Sequence, residues 1–497
     1  MILGARPAPA GKDDLRRALE EHSKFRNRTR GGGPSARGAA AVAVRERPAG
    51  DGAKPPSRRD SREAPGATTP SPGQIGGVRI VQDQEGLEAL VADLRAAGEF
   101  ALDTEFIPEN RLFPELGLIQ VAAPGVEAVI DPLEVKKLDP LLALISDPRV
   151  LKVVHSGKHD FDIFYGLASV VPKKVFDTQI AAAVIGHGKK VQIALRTLVA
   201  GFVGRELSKQ EQMSNWLRRP LTPRQVEYAI ADVRYLLPLR NKLTERAKAL
   251  GRLDWLREEM TPLTEEDSYR MPPAEECYRA LDSPSLTPSQ RGSLRELAAW
   301  RERRARASNR PRGWILKDGA VRDLARRQPR NREQLLAPYE SVAGRPPKGD
   351  PKTVQQTRAV LQKNPDAILR VLGAGARKPL PFTGKGKKER RPAPESLALL
   401  LETWLKLRAS EHGVAPELLA TQEELRAIVA AYPEEAPDAR PLKGYRRRIL
   451  GEDLLLILSG EAVIQVGVNG RKSGGQPPIR LARLGRLGRF VLRDSQG

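Results

Sequence analysis

The chain has 497 residues, too many for one hydrophobic core, so roughly two to four domains are expected. Its 84 Lys+Arg against 61 Asp+Glu leave a net charge of +23, which points to a polyanionic partner, nucleic acid before an anionic membrane. Cys277 is the single cysteine, which excludes an internal disulfide and a cysteine-built zinc site and fits a reducing, cytoplasmic setting.

Residues 1–76 are rich in Gly, Pro, Ala, Ser and Arg, with 15 basic and 8 acidic residues. That composition cannot bury enough apolar surface to fold alone, so a disordered basic arm is expected. Its acidic residues Asp13, Asp14, Glu20 and Glu21 speak against an organellar leader. No apolar run in the chain approaches the ~20 residues that span a bilayer.

Folded sequence is expected from Val78. VRIVQ (78–82) reads as a strand, and Asp83 is a cap for a helix carrying Leu87, Leu90, Val91 and Leu94 that Gly98 ends. FALDTEF (100–106) alternates as a strand does. Phe100, Leu102, Thr104 and Phe106 point one way; Ala101, Asp103 and Glu105 point the other. Two carboxylates side by side on an apolar strand repel each other and call for a cation, most simply a divalent metal with oxygen ligands. LGLIQVAA (116–123) and VEAVI (126–130) form a hairpin across Pro124-Gly125, and a helix near 138–145 leads to the strand VLKVVHS (150–156). From there to about Leu250 the pattern is helical, so the fold class is α/β: a mixed sheet flanked by helices.

Asp160 follows that strand, at the carboxyl end where open α/β sheets place their sites. A helix starting near Lys158 sets Asp160 and Asp162 ~200° apart, so one of them faces the site. A lone aspartate there also fits a helix cap. In EYAIADVRYLLPL (227–239), Tyr228 and Asp232 share a helical face behind a Thr222-Pro223 start; an ordinary amphipathic helix fits as well. His155 and His159 flank the acidic residues and offer zinc ligation or simple packing. Asp177 reads as a structural cap. Lys209, Arg218 and Arg219 fit phosphate contacts or solvated surface charge alike.

Four motifs now stand in order: LDTEF, HSGKHD, DTQ (177–179) and YAIAD. That order resembles the ribonuclease D family, 3′→5′ exonucleases of the superfamily with four acidic residues, over about Val78–Glu258. LSKQEQMSNWLRRPLTPRQVEYA extends the likeness, and Tyr228 matches the tyrosine branch rather than the histidine branch. The resemblance implies a ribonuclease H-like exonuclease domain over 78–260. It implies Asp103, Glu105, Asp160 and Asp232 as ligands of two divalent ions, Mg2+ or Mn2+, and Tyr228 as the catalytic tyrosine. RNA 3′ ends, tRNA precursors above all, are the implied substrates of a monomeric enzyme. A DNA 3′→5′ exonuclease and an RNA-binding protein with a weak site remain alternatives, since 2′-hydroxyl recognition is not legible here.

After Pro272-Pro273, residues 286–372 resemble the helical helicase-and-ribonuclease-D C-terminal domain. Leu294, Leu297, Ala298 and Arg301 run at helical spacing. Arg301, Arg303, Arg304, Arg306, Arg310 and Arg312, with Trp314 nearby, are expected to form a basic RNA-binding surface. A flexible basic linker is expected over 373–394. A second, divergent helical domain is expected over 395–461, with Leu397, Leu400, Leu401, Trp404 and Leu405 as its apolar stripe. Residues 462–497 read as a Gly/Arg-rich tail, either disordered or a short basic hairpin.

Overall fold

The computed structural model describes residues 74–108, 110–208, 214–339, 350–382, 394–432, 438–466 and 479–483. The expected arm, apart from its last three residues, half of the expected linker and most of the expected tail lie outside them. The first described element lies four residues before Val78: β1 (Gln74–Ile75) pairs antiparallel with β2 (Val78–Val81).

Helix α1 (Gln84–Ala97) begins where the Asp83 carboxylate accepts from the Gly86 N–H at 2.7 Å. It ends at Gly98, whose φ of 72° closes the C-terminus as glycine readily allows. Leu87, Leu90, Val91 and Leu94 are its buried stripe. The strands β3 (Glu99–Ile107), β4 (Glu115–Ala123), β5 (Val126–Ile130), β6 (Leu151–Val154) and β7 (Val175–Asp177) follow, with α2 (Asp139–Ile145) between β5 and β6 and α3 (Lys158–Ala168) between β6 and β7. The sheet order is β1-β2-β5-β4-β3-β6-β7. β3, β4 and β5 are antiparallel neighbours, while β2–β5, β3–β6 and β6–β7 are parallel. This is the mixed sheet that the strand pattern called for.

Two register details build the site. β6 pairs with β3 only as far as Val153 opposite Ala101. Asp103 and Glu105 therefore run on past the end of β6, beside the start of α3. A bulge at Glu105/Phe106 inserts Gly117 into β4, and bulges re-aim side chains at strand ends.

The helices α4 (Thr178–Val184), α5 (Pro223–Arg234), α6 (Leu236–Ala249) and α7 (Leu253–Met260) complete this part. A capping box between Thr222 and Gln225 starts α5. Its Val226, Ala229, Ile230 and Val233 cover Ala101, Leu118, Ala122 and Val129 on one sheet face. Phe100, Leu102, Ile119 and Val121 bury the other face against α1 and α3.

Helices α8 (Pro288–Ser308), α9 (Asp318–Arg327), α10 (Pro351–Lys363) and α11 (Pro365–Ala376) enclose a core of their own, centred on Leu294, Leu297, Val321, Leu324, Ile368 and Leu372. α11 runs four residues past the expected boundary at Leu372. α8 and α11 meet backbone to backbone: a Cβ on Gly292 would lie 2.2 Å from the Gly375 carbonyl oxygen. Gly292→Ala is therefore expected to destabilise this bundle by about 1–3 kcal/mol, read as a lower melting transition by calorimetry.

Helices α12 (Glu395–Glu411), α13 (Gln422–Ala431) and α14 (Glu452–Leu458) share the nuclease core. Trp255 of α7 stacks on Tyr445 at 4.4 Å and 13°, and the Tyr445 hydroxyl donates to Glu259 at 2.9 Å. Within the expected stripe, Leu401, Trp404 and Leu405 are buried but Leu400 is 41% exposed. Within the expected tail, β8 (Ala462–Val466) pairs antiparallel with β9 (Ile479–Arg483).

Candidate active site

Asp103 and Glu105 leave β3 on the face covered by α5, where Tyr228 and Asp232 sit one helical turn apart. One carboxylate oxygen from each of Asp103, Glu105 and Asp232 lies within 4.8 Å of the others. Asp160 enters from the first turn of α3 and is 5% exposed, held by the Thr104 hydroxyl, which donates to it. Asp162, on the far side of that helix, pairs with Lys158 at 2.5 Å instead.

The electrostatics follow from this convergence. Burial, then Asp160, Asp232 and Glu105, push the Asp103 carboxyl well above its ordinary range. Burial, then Asp232 and Asp160, raise Glu105 to about 8. Burial raises Asp160 to about 7 against the lowering effect of the Thr104 hydroxyl, and burial raises Asp232 to about 6. Tyr228, half-buried, is also pushed up, by burial and then by Asp232, Glu105 and Asp103. Four acids that disfavour their own ionisation describe a site made for cations. The donor set is all oxygen, which suits a hard divalent cation.

The flanking residues support this geometry. Asp177 accepts from four backbone N–H groups: Ser156 and Gly157 at 3.0 Å each, Gln179 at 2.8 Å and Ile180 at 3.3 Å. It caps α4 and fixes the turn that aims α3, the structural role expected for it. His155 Nδ1 meets the Thr178 hydroxyl at 2.9 Å, and that hydroxyl donates to the Val154 carbonyl at 3.1 Å. His159 is 80% exposed on its side chain and faces Asp162.

Sequence reasoning overlooked Gln120. It pairs with Asp103 across β3–β4, is fully buried, and both its amide atoms lack a partner among the described residues. The alternation of LGLIQVAA held the signal, since Gln120 is the one polar side chain inside that run. Trp216, also overlooked, lies 2% exposed with its ring 6.1 Å from that of Tyr228.

The proposed phosphate contacts divide. Lys209 lies outside the described residues. Arg218, Arg304 and Arg310 are exposed, and Arg304 lies over the Trp300 ring at 5.6 Å. Arg219 is committed elsewhere, bidentate to the buried Asp131 at 2.5 and 2.6 Å. Arg301 is a correction: it is 4% exposed, donating to the Leu316 carbonyl at 2.9 Å and to Asp318 at 2.5 Å. The basic surface is thinner than expected because buried Glu302 gathers Arg306 and Arg312, and Glu275 takes Arg303. What remains exposed is Arg304, Arg310 and Trp314, the last 53% exposed. Next to Arg310, the Asn309 side chain meets the loop between β3 and β4: it accepts from the Phe113 N–H at 2.7 Å and donates to the Phe113 carbonyl at 3.1 Å.

Comparison with known proteins agrees with this geometry. A family model described as 3′-5′ exonuclease matches residues 78–248, and one described as HRDC domain matches 290–341. Ribonuclease D of Granulibacter bethesdensis is 33% identical over 79% of this chain and 95% of its own length. That of Nitrobacter hamburgensis is 35% identical over 73% and 91%. The chain belongs to the ribonuclease D family. It is accordingly a hydrolase, a 3′→5′ exoribonuclease. The crystal structure of Escherichia coli RNase D, described as an exoribonuclease involved in structured RNA processing, is 26% identical and superposes with a TM-score of 0.66, covering 77% of this chain and 99% of that one. No helix among the described residues is long and apolar enough to cross a membrane.

Proposed function

We propose that this member of the ribonuclease D family trims the 3′ ends of structured RNAs, tRNA precursors foremost, and releases nucleoside 5′-monophosphates one at a time. The observation that carries this reading is the meeting of Asp103, Glu105 and Asp232 oxygens within 4.8 Å, one helical turn from Tyr228. Two divalent cations, Mg2+ or Mn2+, held by Asp103, Glu105 and Asp232 and by Asp103 with Asp160, would neutralise charge at the phosphodiester and acidify the attacking water.

The chain's own groups do the rest. Thr104 steadies Asp160 from the opposite strand face. The Tyr228 phenol, raised above its ordinary pKa, keeps its proton and orients the water rather than deprotonating it. The RNA strand behind the 3′ end runs over Arg304, Arg310 and Trp314, with Arg218 and Lys209 as further phosphate contacts, through charge and stacking rather than base-edge readout. Residues 395–461 are read as a second domain of the same helical kind as 286–372. The enzyme is read as a cytoplasmic monomer.

A 3′-extended tRNA precursor incubated with purified protein and Mg2+ is expected to shorten in single-nucleotide steps, faster than a DNA strand of the same sequence. Preference for the DNA would support the exonuclease chemistry on the other sugar. No shortening of either would leave an RNA-binding protein.

A further inference from the structure

The catalytic cluster accounts for Asp103, Glu105, Asp160, Asp232 and Tyr228, but not for the largely buried ion pair between Arg219 and Asp131. Arg219 donates to both oxygens of Asp131, at 2.5 and 2.6 Å, to the Trp216 carbonyl at 2.8 Å and to the Gly117 carbonyl at 2.8 Å. Asp131 itself is fully buried at the end of β5, and its N–H donates to the Val81 carbonyl at 2.9 Å. One guanidinium thus ties three pieces of chain together: the end of β5, the bulge of β4 and the turn that carries Trp216. A buried pair this fully bonded is costly to break from one side.

Its product is the placement of one indole. Trp216 rests on Gly117 so closely that a Cβ there would lie 2.8 Å from its Cβ and 2.9 Å from its carbonyl oxygen. The indole Nε1 has no partner among the described residues. Nothing polar fixes the ring itself, so its position is set through its backbone, which Arg219 holds. The Trp216 ring then meets the Tyr228 ring at 6.1 Å and 32°, within the range of favourable aromatic pairs. Tyr228 carries its hydroxyl at the end of two rotatable bonds, and a half-buried phenol without a wall has a choice of rotamers.

We infer that Trp216, anchored by Arg219 and Asp131, is a positioning residue that holds the Tyr228 ring at the angle from which its hydroxyl reaches the attacking water. This rests on the water-orienting role read for Tyr228. Misplacement of such a group by a fraction of a bond length costs rate rather than binding.

The test is a double-mutant cycle on single-nucleotide release with saturating Mg2+. Trp216→Ala is expected to lower kcat by about 10- to 100-fold, with KM unchanged. Trp216→Phe keeps an aromatic wall and should recover most of that loss. In a Tyr228→Phe background, Trp216→Ala should change kcat by less than about twofold, since the group it serves is gone. Gly117→Ala displaces Trp216 without altering its ring and supplies the second variant, with the same dependence on Tyr228. A full additional loss in the Tyr228→Phe background, from both variants, would overturn the positioning role and leave the catalytic role of Tyr228 standing. Full activity of Tyr228→Phe alone would overturn the reading beneath it.

Discussion

Asp103→Asn is expected to abolish nucleotide release while RNA binding persists. Asp103 stands at the centre of the repulsion: Asp160, Asp232 and Glu105 all raise it. It is also the ligand we propose for both cations, so its loss would weaken the hold on each. Asparagine keeps the shape and the β3–β4 pairing with Gln120 but offers a neutral amide to a hard cation. The fall in kcat is expected to be at least on the order of 10²–10³-fold, the scale of losing a group that acts directly on transition-state charge. Fluorescence anisotropy with a 3′-labelled RNA in EDTA should give a Kd within about threefold of wild type, because the phosphate contacts proposed for the strand lie elsewhere.

The same variant should be more stable than wild type without metal, since it relieves like-charge crowding that the fold bears for function. Asp162→Asn is the control. It lies across α3, paired with Lys158, and should leave kcat within about twofold, as surface changes of this kind usually do. Full activity of Asp103→Asn would remove the metal-site assignment.

The reason Asp103 and Glu105 could be found from sequence is that β3 is an internal strand with one sharply polar stretch. Alternation alone puts both carboxylates on one face, and neither packing nor register alters that. Helical periodicity allowed only one of Asp160 and Asp162 to face the site; the choice of Asp160 came from the family resemblance. Asp177 was legible as a cap because a DTQ ahead of an apolar run has few other uses.

What escaped was fixed by register and by tertiary contact. Gln120 becomes part of the site only through pairing opposite Asp103, and Trp216 only through a bulge that makes room for it at Gly117. The arginine run misled in an instructive way. Arg301 shares the spacing of Leu294, Leu297 and Ala298, so its burial was written in the helix period, yet the count of positive charges dominated the reading. Glu302 beside it is buried among those arginines, and a buried carboxylate must collect cations. A run of arginines interrupted by one glutamate on the inner face of a helix is therefore partly a self-neutralised structure, not an RNA surface.

Removing the metal should expose the cost of four clustered acids as a pH dependence. In an unfolded chain these carboxyls ionise near pH 4. In the folded protein Asp232 is raised to about 6, Asp160 to about 7 and Glu105 to about 8, with Asp103 raised as well. Between about pH 4 and pH 8 the folded form therefore holds more protons than the unfolded form, and stability must fall as pH rises. The stabilising contribution is whole below the unfolded pKa and is lost as each folded pKa is passed. His155 and His412, held below their ordinary pKa by burial, act in the opposite direction, but equally with and without metal.

The informative quantity is thus the difference between two melting curves. In EDTA the melting temperature should drop from pH 5.5 to pH 8.5. With Mg2+ or Mn2+ at ~100 times its Kd, binding adds about 2.7 kcal/mol, or several degrees for a domain of this size, and the gain should grow with pH because cations replace the protons. Activity lost in EDTA should return with the same ions. Asp103→Asn should show a shallower drop in EDTA and a smaller metal gain. If the two melting curves shift in parallel with pH, with no growth in the metal gain, the four acids do not act together as a cation site.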